Sequence, residues 1–232
     1  MSTAGYWDGL YAGGQDGWDL GGPAPGLEAW LAGDGKFEVE PGTSVRGARA
    51  SGLSADWGSA GAISGPPHMK EGQSPRVAVP GAGRGHDARF LAGRGYRVTA
   101  FDFADAAVVE ARRLAARDGV DVVVEQRDVF TLGHDYAGAF DGVWEYTCFC
   151  AIDPARREEY VRVLHTILRP GGLLLACFFP LREGGDGPPF PISRGDIDRA
   201  LGGRFTVLRA GPPDRSAERR RELEWLVEAR RA

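Results

Sequence analysis

From residue 76 onward, short apolar runs alternate with segments in which apolar residues recur every three or four positions. The runs predict strands and the periodic segments predict helices. The predicted strands are 76–80, 96–102, 121–126, 140–147, 172–179 and 204–210, and the predicted helices are 86–94, 105–117, 154–168 and 195–202. Strands that alternate with helices in this way indicate an α/β fold with a doubly wound, mostly parallel sheet.

The chain before this pattern differs in composition. Residues 5–32 are rich in aromatic side chains, and Trp18 lies in a Gly/Pro-bounded turn between two short helical patterns, where its ring is a candidate lid over a ligand. Residues 41–75 contain 22 Gly, Ser, Ala or Pro among 35 residues, which predicts a flexible surface insertion, with a substrate lid as the alternative. We therefore expect one domain over residues 1–232: an aromatic-rich cap (1–40), the insertion (41–75) and the α/β core (76–232).

A glycine-rich turn follows the first predicted core strand. Gly81, Gly83 and Gly85 stand directly before a helix, so a ligand can approach the backbone and the free N–H groups of the helix start. The dinucleotide pattern G-x-G-x-x-G needs glycine where this chain has His86, which argues against a nicotinamide oxidoreductase. Asp102 ends the next strand and could accept both hydroxyls of a ribose. This arrangement predicts a nucleoside ligand without phosphates.

Charge and cysteine content narrow the classes of partner. A net charge of −4 argues against a nucleic-acid binder, so the expected partner is a small molecule. The N-terminus shows no targeting signal, and the longest apolar run, 173–179, cannot span a bilayer, so we expect a cytoplasmic protein without membrane contact, acting as a monomer. Cys148, Cys150 and Cys177 are expected to be buried thiols on strands, and no histidine stands in a metal-ligand pattern.

At these motifs the sequence resembles the class I S-adenosylmethionine (SAM) methyltransferases, and within them the thiopurine methyltransferase-like branch, closest to the thiol, thiocyanate and halide methyltransferases. The motifs that carry the resemblance are Trp18-Asp-Leu-Gly-Gly-Pro-Ala-Pro25, Val79-Pro-Gly-Ala-Gly-Arg-Gly-His-Asp87, Arg127-Asp-Val-Phe130, Phe140-Asp-Gly-Val-Trp-Glu-Tyr-Thr-Cys-Phe-Cys-Ala-Ile-Asp-Pro154, Leu168-Arg-Pro-Gly-Gly172 and Gly187-Pro-Pro-Phe-Pro-Ile192. The resemblance implies seven strands with the last one antiparallel, and it favours a strand for the tail 221–229, whose own pattern fits either a strand or a helix.

The resemblance also implies the site. The residues expected to bind SAM are Trp18, Gly81, Gly83, Asp102, Phe103, Asp128, Val129, Phe130 and Glu145. Tyr146 and Phe190 are expected to contact the methyl acceptor.

Two departures from the halide and thiocyanate enzymes bear on the acceptor. Glu145 stands where they have Asp, and Phe190 stands where they have a Tyr that could donate a hydrogen bond to an anion. We therefore expect methyl transfer to a thiol or sulfide, which needs alignment rather than a dedicated base. Halide or thiocyanate transfer and thiopurine-type aryl thiol transfer are the alternatives within the class, and a non-catalytic SAM-binding sensor is the alternative outside it.

Overall fold

The computed structural model describes residues 3–38 and 74–232, and its core is one twisted sheet of seven strands. The strands are β1 (Arg76–Pro80), β2 (Arg97–Asp102), β3 (Val122–Gln126), β4 (Phe140–Tyr146), β5 (Leu168–Phe178), β6 (Phe205–Gly211) and β7 (Trp225–Arg231). The helices are α1 (Ala4–Ala12), α2 (Pro25–Ala32), α3 (His86–Ala92), α4 (Asp105–Asp118), α5 (Leu132–Asp135), α6 (Arg157–Ile167) and α7 (Arg194–Leu201).

The strand order is β3-β2-β1-β4-β5-β7-β6. The pairs from β3 through β5 are parallel, and β7 runs antiparallel to both of its neighbours, β5 and β6. The predicted fold class is therefore confirmed, and the ambiguous tail is a strand. None of the helices in the described residues is long and apolar enough to cross a membrane.

The two faces of the central strands bury different layers. On one face Trp144, Leu173 and Leu175 pack with residues of α2 and α3, and on the other Val143 and Leu174 pack with α6 and α7. This alternation follows from the pleat of a strand, which points successive side chains to opposite faces. A sheet buried on both faces explains the uninterrupted apolar run 173–178 in β5.

Several boundaries differ from the sequence prediction. Strand β5 begins at Leu168 rather than at residue 172, and the short helices 129–131 and 132–135 were not predicted. The Asp128 side chain caps the first of these by accepting the Phe130 N–H, a local signal too short to show as periodicity. The predicted insertion 41–75 lies outside the described residues, apart from Ser74 and Pro75.

The chain reverses direction across the sheet between β1 and β4, because β1 connects to β2 on one side while β4 leads away on the other. In such sheets a crevice opens at this point, outside the carboxyl ends of the strands. The N-terminal helices cover it: Asp8 Oδ1 accepts the Ala106 N–H of α4 at 3.0 Å, and the Ala24 N–H donates to Asp87 of α3 at 2.7 Å.

Candidate active site

A cavity of about 460 Å³ fills the crevice under the N-terminal cap. Its volume falls within the range of small-molecule sites. The residues predicted for the site that line this cavity are Trp18, Gly81, Gly83, Asp102, Phe103, Asp128, Val129, Phe130 and Tyr146. Two of the predicted residues, Glu145 and Phe190, are not part of its wall.

The glycine turn forms the floor beside β1. Gly81, Gly83 and Gly85 have φ angles of 61°, 53° and 69°, in the left-handed region that favours glycine. A Cβ at Gly81 would lie 2.7 Å from the Cβ and Sγ atoms of Cys148. The turn therefore needs glycine both for its conformation and for its close approach to Cys148, whose side chain occupies the space that a Cβ would need.

Asp102 stands at the tip of β2, next to this turn. The Gly83 N–H donates to Oδ2 at 2.8 Å and the Ala104 N–H donates to Oδ1 at 3.0 Å. Burial raises the pKa of this carboxyl, and the same backbone bonds act in the opposite direction. Each oxygen keeps a further acceptor site after its backbone bond, so the carboxylate can accept a pair of hydroxyls.

The tip of β3 supplies an apolar wall. Asp128 Oδ1 accepts the Phe130 N–H at 3.0 Å, which fixes the turn that carries Val129 and Phe130 into the lining. The Arg156 guanidinium lies 3.5 Å from the centre of the Phe130 ring. This stacking holds the ring from the side of the β4–α6 loop.

A polar cluster fastens the cap over the glycine turn. Asp19 forms an ion pair with Arg84 at 2.9 Å, its Oδ1 lies 3.1 Å from Nε2 of His86, and Asp16 contacts the same Arg84. Burial of Asp19 would raise its pKa, but bonds from His86 and the Gly21 N–H, together with Arg84, lower it below its usual value. The adjacent Trp18 ring meets Tyr11 edge-on with centroids 5.4 Å apart, so the predicted lid aromatic belongs to a small cluster.

The opposite wall carries Tyr146 and a buried cation. Tyr146 ends β4, and its hydroxyl donates to Oε1 of Glu224. Burial raises the pKa of this hydroxyl far above its usual value; Arg220 counteracts the shift and Glu224 adds to it. Arg220 is 2% exposed, lies 5.1 Å from the Tyr146 ring centre and 4.6 Å from that of Phe179, and donates to the Trp18 carbonyl. Its Nη1 has no hydrogen-bond partner among the described residues.

Comparison of the sequence with models of known protein families identifies the family of this chain. The model of the thiopurine S-methyltransferase family matches residues 67–231. The chain belongs to the thiopurine S-methyltransferase family.

Several relatives of the chain are named as methyltransferases of sulfur compounds. It is 30% identical over 128 residues to a probable thiol methyltransferase 2 of Arabidopsis thaliana, covering 54% of this chain and 56% of the relative. It is 27% identical over 173 residues to a thiopurine S-methyltransferase of Shewanella sp. (strain MR-7), covering 66% of this chain and 79% of the relative. The chain thus spans just over half the length of the plant relatives.

Solved structures agree on the fold. A structure from work on the conversion of a disulfide bond into a thioacetal group during echinomycin biosynthesis aligns with a TM-score of 0.62 at 22% identity, covering 92% of this chain and 84% of the other. A Burkholderia thailandensis 1,6-didemethyltoxoflavin-N1-methyltransferase, with S-adenosylhomocysteine bound, aligns at 0.54 with 27% identity, covering 69% of this chain and 72% of the other.

Two predicted site residues have other contacts in this member of the thiopurine S-methyltransferase family. Glu145 is 1% exposed; its Oε1 accepts the Phe149 N–H at 2.9 Å, and Oε2 accepts the Tyr160 hydroxyl. Burial raises the pKa of Glu145 to about 7. Because Glu145 and Tyr146 are adjacent in a strand, they face opposite sides of the sheet, and only Tyr146 faces the cavity.

Phe190 is also placed away from the cavity wall. A Cβ at Gly187 would lie 2.5 Å from its Cγ, so the ring packs over Gly187 within its own loop. Its N–H donates to the Cys150 carbonyl at 2.7 Å. Pro188 and Pro189 of the same loop line the cavity instead.

The three cysteines are free and buried, as expected for structural thiols. Cys148 and Cys150 lie in the turn after β4 rather than on the predicted strand, and both line the cavity. Burial raises the pKa of Cys150 to about 12 and that of Cys148 well above its usual value, so both remain protonated and poorly nucleophilic. Within residues 3–38 and 74–232, no group of three or more His, Cys, Asp or Glu could hold a metal ion.

Proposed function

We propose that this protein is a SAM-dependent methyltransferase that transfers a methyl group to a small soft nucleophile, a thiol or sulfide. The observation that carries the proposal is the shared cavity: the left-handed glycine turn, the doubly anchored carboxylate of Asp102 and the hydroxyl-bearing Tyr146 all line it. The names of the thiol, thiocyanate and thiopurine methyltransferases in its family support the same reaction class.

The residues present fit SAM. Asp102 would accept the ribose hydroxyls, and the backbone of Gly81 and Gly83, which lines the cavity without a side chain, would lie against the ligand. Val129 and Phe130 would cover the adenine, with Asp128 as acceptor for its amino group. When bound, SAM supplies an electrophilic methyl group on a sulfonium. Trp18, fastened through Asp19, closes the site and keeps water out.

The acceptor side suits an anionic or readily ionised sulfur compound. The Arg220 guanidinium, which forms no ion pair among the described residues, lies behind Tyr146 and Phe179 and places a positive charge next to the cavity without entering it. A buried charge with little screening acts over this distance, and it favours a nucleophile that carries or develops negative charge. Thiolate, sulfide, thiocyanate and iodide share this property, and the experiments below distinguish them.

We further propose that the protein works as a single domain and a monomer in the cytoplasm, on a small molecule rather than on nucleic acid. The net charge of −4 supports a small molecule as the partner, because nucleic-acid binding favours a basic surface.

Thermal unfolding with and without SAM tests cofactor binding. We expect SAM and S-adenosylhomocysteine to raise the midpoint, because a ligand that binds only the folded state stabilises it. Asp102→Ala should weaken binding by roughly 10- to 100-fold, since hydrogen bonds to a charged group contribute about 1.5–3 kcal/mol. Asp105→Ala, which removes an exposed carboxylate three residues away, is the matched control and should leave the shift intact.

Transfer of a labelled methyl group tests the reaction. Wild-type protein should methylate sulfide or a small alkyl thiol, and the assay should include an aryl thiol, thiocyanate and iodide. A SAM-induced shift without transfer to any acceptor would identify a SAM-binding sensor. A shift with NAD and none with SAM would reject the proposal.

A further inference from the structure

The hydroxyl of Tyr146 is already used as a donor. It donates its hydrogen to Glu224 Oε1, across 78 positions of the chain. A phenol has one hydrogen, so any further hydrogen bond to this oxygen must be one that it accepts. Tyr146 lines the cavity, so its oxygen is available to accept a hydrogen bond from a group bound there.

Glu224 connects Tyr146 to a second depression on the protein surface. Glu224 is 3% exposed, yet it lines a groove with Leu181, Arg194 and Trp225 that is separate from the main cavity. The Arg194 guanidinium stacks 3.9 Å from the centre of the Trp225 ring and so holds one side of this groove. A proton that reaches Glu224 can leave through the groove without crossing the cavity.

The Glu224 carboxylate is held by the Tyr146 hydroxyl and not by an ion pair. The charged and titratable groups facing Tyr146 are Glu224, Arg220 of the loop before β7, and Cys177 of β5. Among the described residues, no Lys or Arg nitrogen lies within 4.0 Å of the Glu224 carboxylate, unlike Asp141, which Arg169 holds at 2.8 Å. The hydrogen of the Tyr146 hydroxyl is already directed at Glu224 Oε1 and can pass along that bond.

We propose that Tyr146 and Glu224 form a proton relay for acceptor thiols, a step that rests on the proposed function. The S–H bond of the thiol breaks and its proton passes to the Tyr146 oxygen as the Tyr146 proton passes to Glu224. The freed sulfur electron pair forms the new S–C bond, and the bond between that carbon and the sulfonium breaks. The products are a neutral thioether, S-adenosylhomocysteine and protonated Glu224, which releases its proton to water in the groove.

The relay defines the acceptor class more closely, because only an acceptor that arrives with its proton uses it. Alkyl thiols are mostly protonated near neutral pH, whereas acidic aryl thiols are largely ionised and thiocyanate and iodide carry no proton. General-base assistance contributes roughly 10²- to 10⁴-fold to a rate. Glu224 should therefore matter in proportion to how weakly acidic the acceptor is.

The test is the kcat/KM of wild type and Glu224→Gln over a series of thiols of decreasing acidity, with thiocyanate as the proton-free member. We expect Glu224→Gln to lower kcat/KM for the least acidic alkyl thiol by at least about 100-fold. The loss should shrink along the series to a few-fold at thiocyanate. Glu224→Asp should recover part of the alkyl thiol activity.

A second readout does not depend on turnover. In the complex with S-adenosylhomocysteine, binding of an alkyl thiol should produce the infrared carbonyl band of a protonated carboxylic acid in wild type and not in Glu224→Gln. Glu125→Gln is the matched control, because Glu125 also accepts from a tyrosine, Tyr136, but neither residue lines the cavity. This control should keep both the band and the full thiol series.

The outcomes separate the relay from the reaction itself. Wild-type transfer with an equal loss across the whole acceptor series in Glu224→Gln would overturn the relay and leave the methyltransferase proposal standing. Absence of transfer by wild type to every acceptor would overturn both. If Glu224→Gln failed to fold, Tyr146→Phe, which keeps the ring, would have to show the same dependence on acidity, and a uniform loss there would overturn the relay.

Discussion

The two sides of the cavity are built in different ways. We name the two sides after the proposed function. On the cofactor side (81–85, 102–103 and 128–130), the contacts are made largely by backbone and over short stretches, such as the Gly83 N–H to Asp102, 19 positions apart. On the acceptor side (146–153, 179–190 and 220–224), side chains meet across long separations, such as Arg220 with the Trp18 carbonyl, 202 positions apart. A left-handed glycine tolerates few other residue types, whereas a side-chain contact is lost only when that side chain is replaced, so substitutions on the two sides should differ in severity and in kind.

The largest effect is expected from Gly81→Ala on the cofactor side. A left-handed non-glycine residue costs about 1–2 kcal/mol. The added Cβ would also lie 2.7 Å from Cys148, and overpacking costs about 1–3 kcal/mol more. We expect a loss of roughly 2–4 kcal/mol in the free energy of unfolding and a SAM affinity at least about 100-fold weaker, measured by urea unfolding and calorimetry.

Gly119→Ala separates the two causes. Gly119 has a similar φ of 64°, but no atom lies within 4 Å of the position that a Cβ would take, so only the conformational cost remains. It should lose about 1 kcal/mol and keep its SAM affinity. If the two variants lost equal stability and Gly81→Ala still bound SAM as tightly as wild type, the glycine turn would not contact SAM.

A smaller effect, dependent on pH, is expected from Glu145→Gln beneath the acceptor side. The pKa of Glu145 is raised from 4.5 to about 7 in the fold, so between these values the folded protein binds more protons than the unfolded chain. Its contribution to stability is then fully present below pH 4.5 and is lost as the pH rises to about 7. Glutamine cannot titrate. The free energy of unfolding of wild type, relative to the variant, should fall by about 2 kcal/mol between pH 5 and pH 8.

Urea unfolding of both proteins at the two pH values measures this difference. The other titrating groups are the same in wild type and Glu145→Gln, so their contributions to the pH dependence cancel in the difference between the two proteins. If the two proteins lost or gained stability in parallel, Glu145 would be ionised at both pH values and its bond to Tyr160 would carry no pH dependence.

The contrast between the two sides also explains what the sequence could predict. The first six strands were predicted from their apolar runs, and β1 has the predicted bounds 76–80, whereas the pattern of the seventh fitted a strand or a helix. That Gly81, Gly83 and Asp102 meet at one cavity could be predicted because they follow directly on those strands, and local sequence determines what a strand tip presents.

The acceptor side was harder to predict because tertiary pairing assembles it. Arg220 stands in a run of three arginines, which is typical of an exposed surface, yet it is buried. Glu224 reaches Tyr146 because β7 pairs with β5 in the register Trp225 to Phe178, which brings the start of β7 beside the ends of β4 and β5. The sequence alone does not contain that register.

The placement of Glu145 could have been foreseen. It is adjacent to Tyr146 in a strand, and adjacent strand residues point to opposite faces of the sheet.

The smallest effect is expected from Phe190→Tyr. The sequence comparison with halide and thiocyanate enzymes suggests that a hydroxyl here would favour anionic acceptors, and one such bond contributes about 1 kcal/mol, or several-fold in kcat/KM. The ring instead packs over Gly187 while Pro188 and Pro189 line the cavity, so the added hydroxyl should point away from the acceptor. We expect the ratio of kcat/KM for iodide to that for an alkyl thiol to change by less than about twofold. Tyr146→Phe is the matched comparison, since it removes a hydroxyl from a residue of the cavity wall and should change the same ratio strongly. A shift toward iodide of about tenfold in Phe190→Tyr would place that ring in the acceptor pocket and would show that the loop 187–190 turns inward during the reaction.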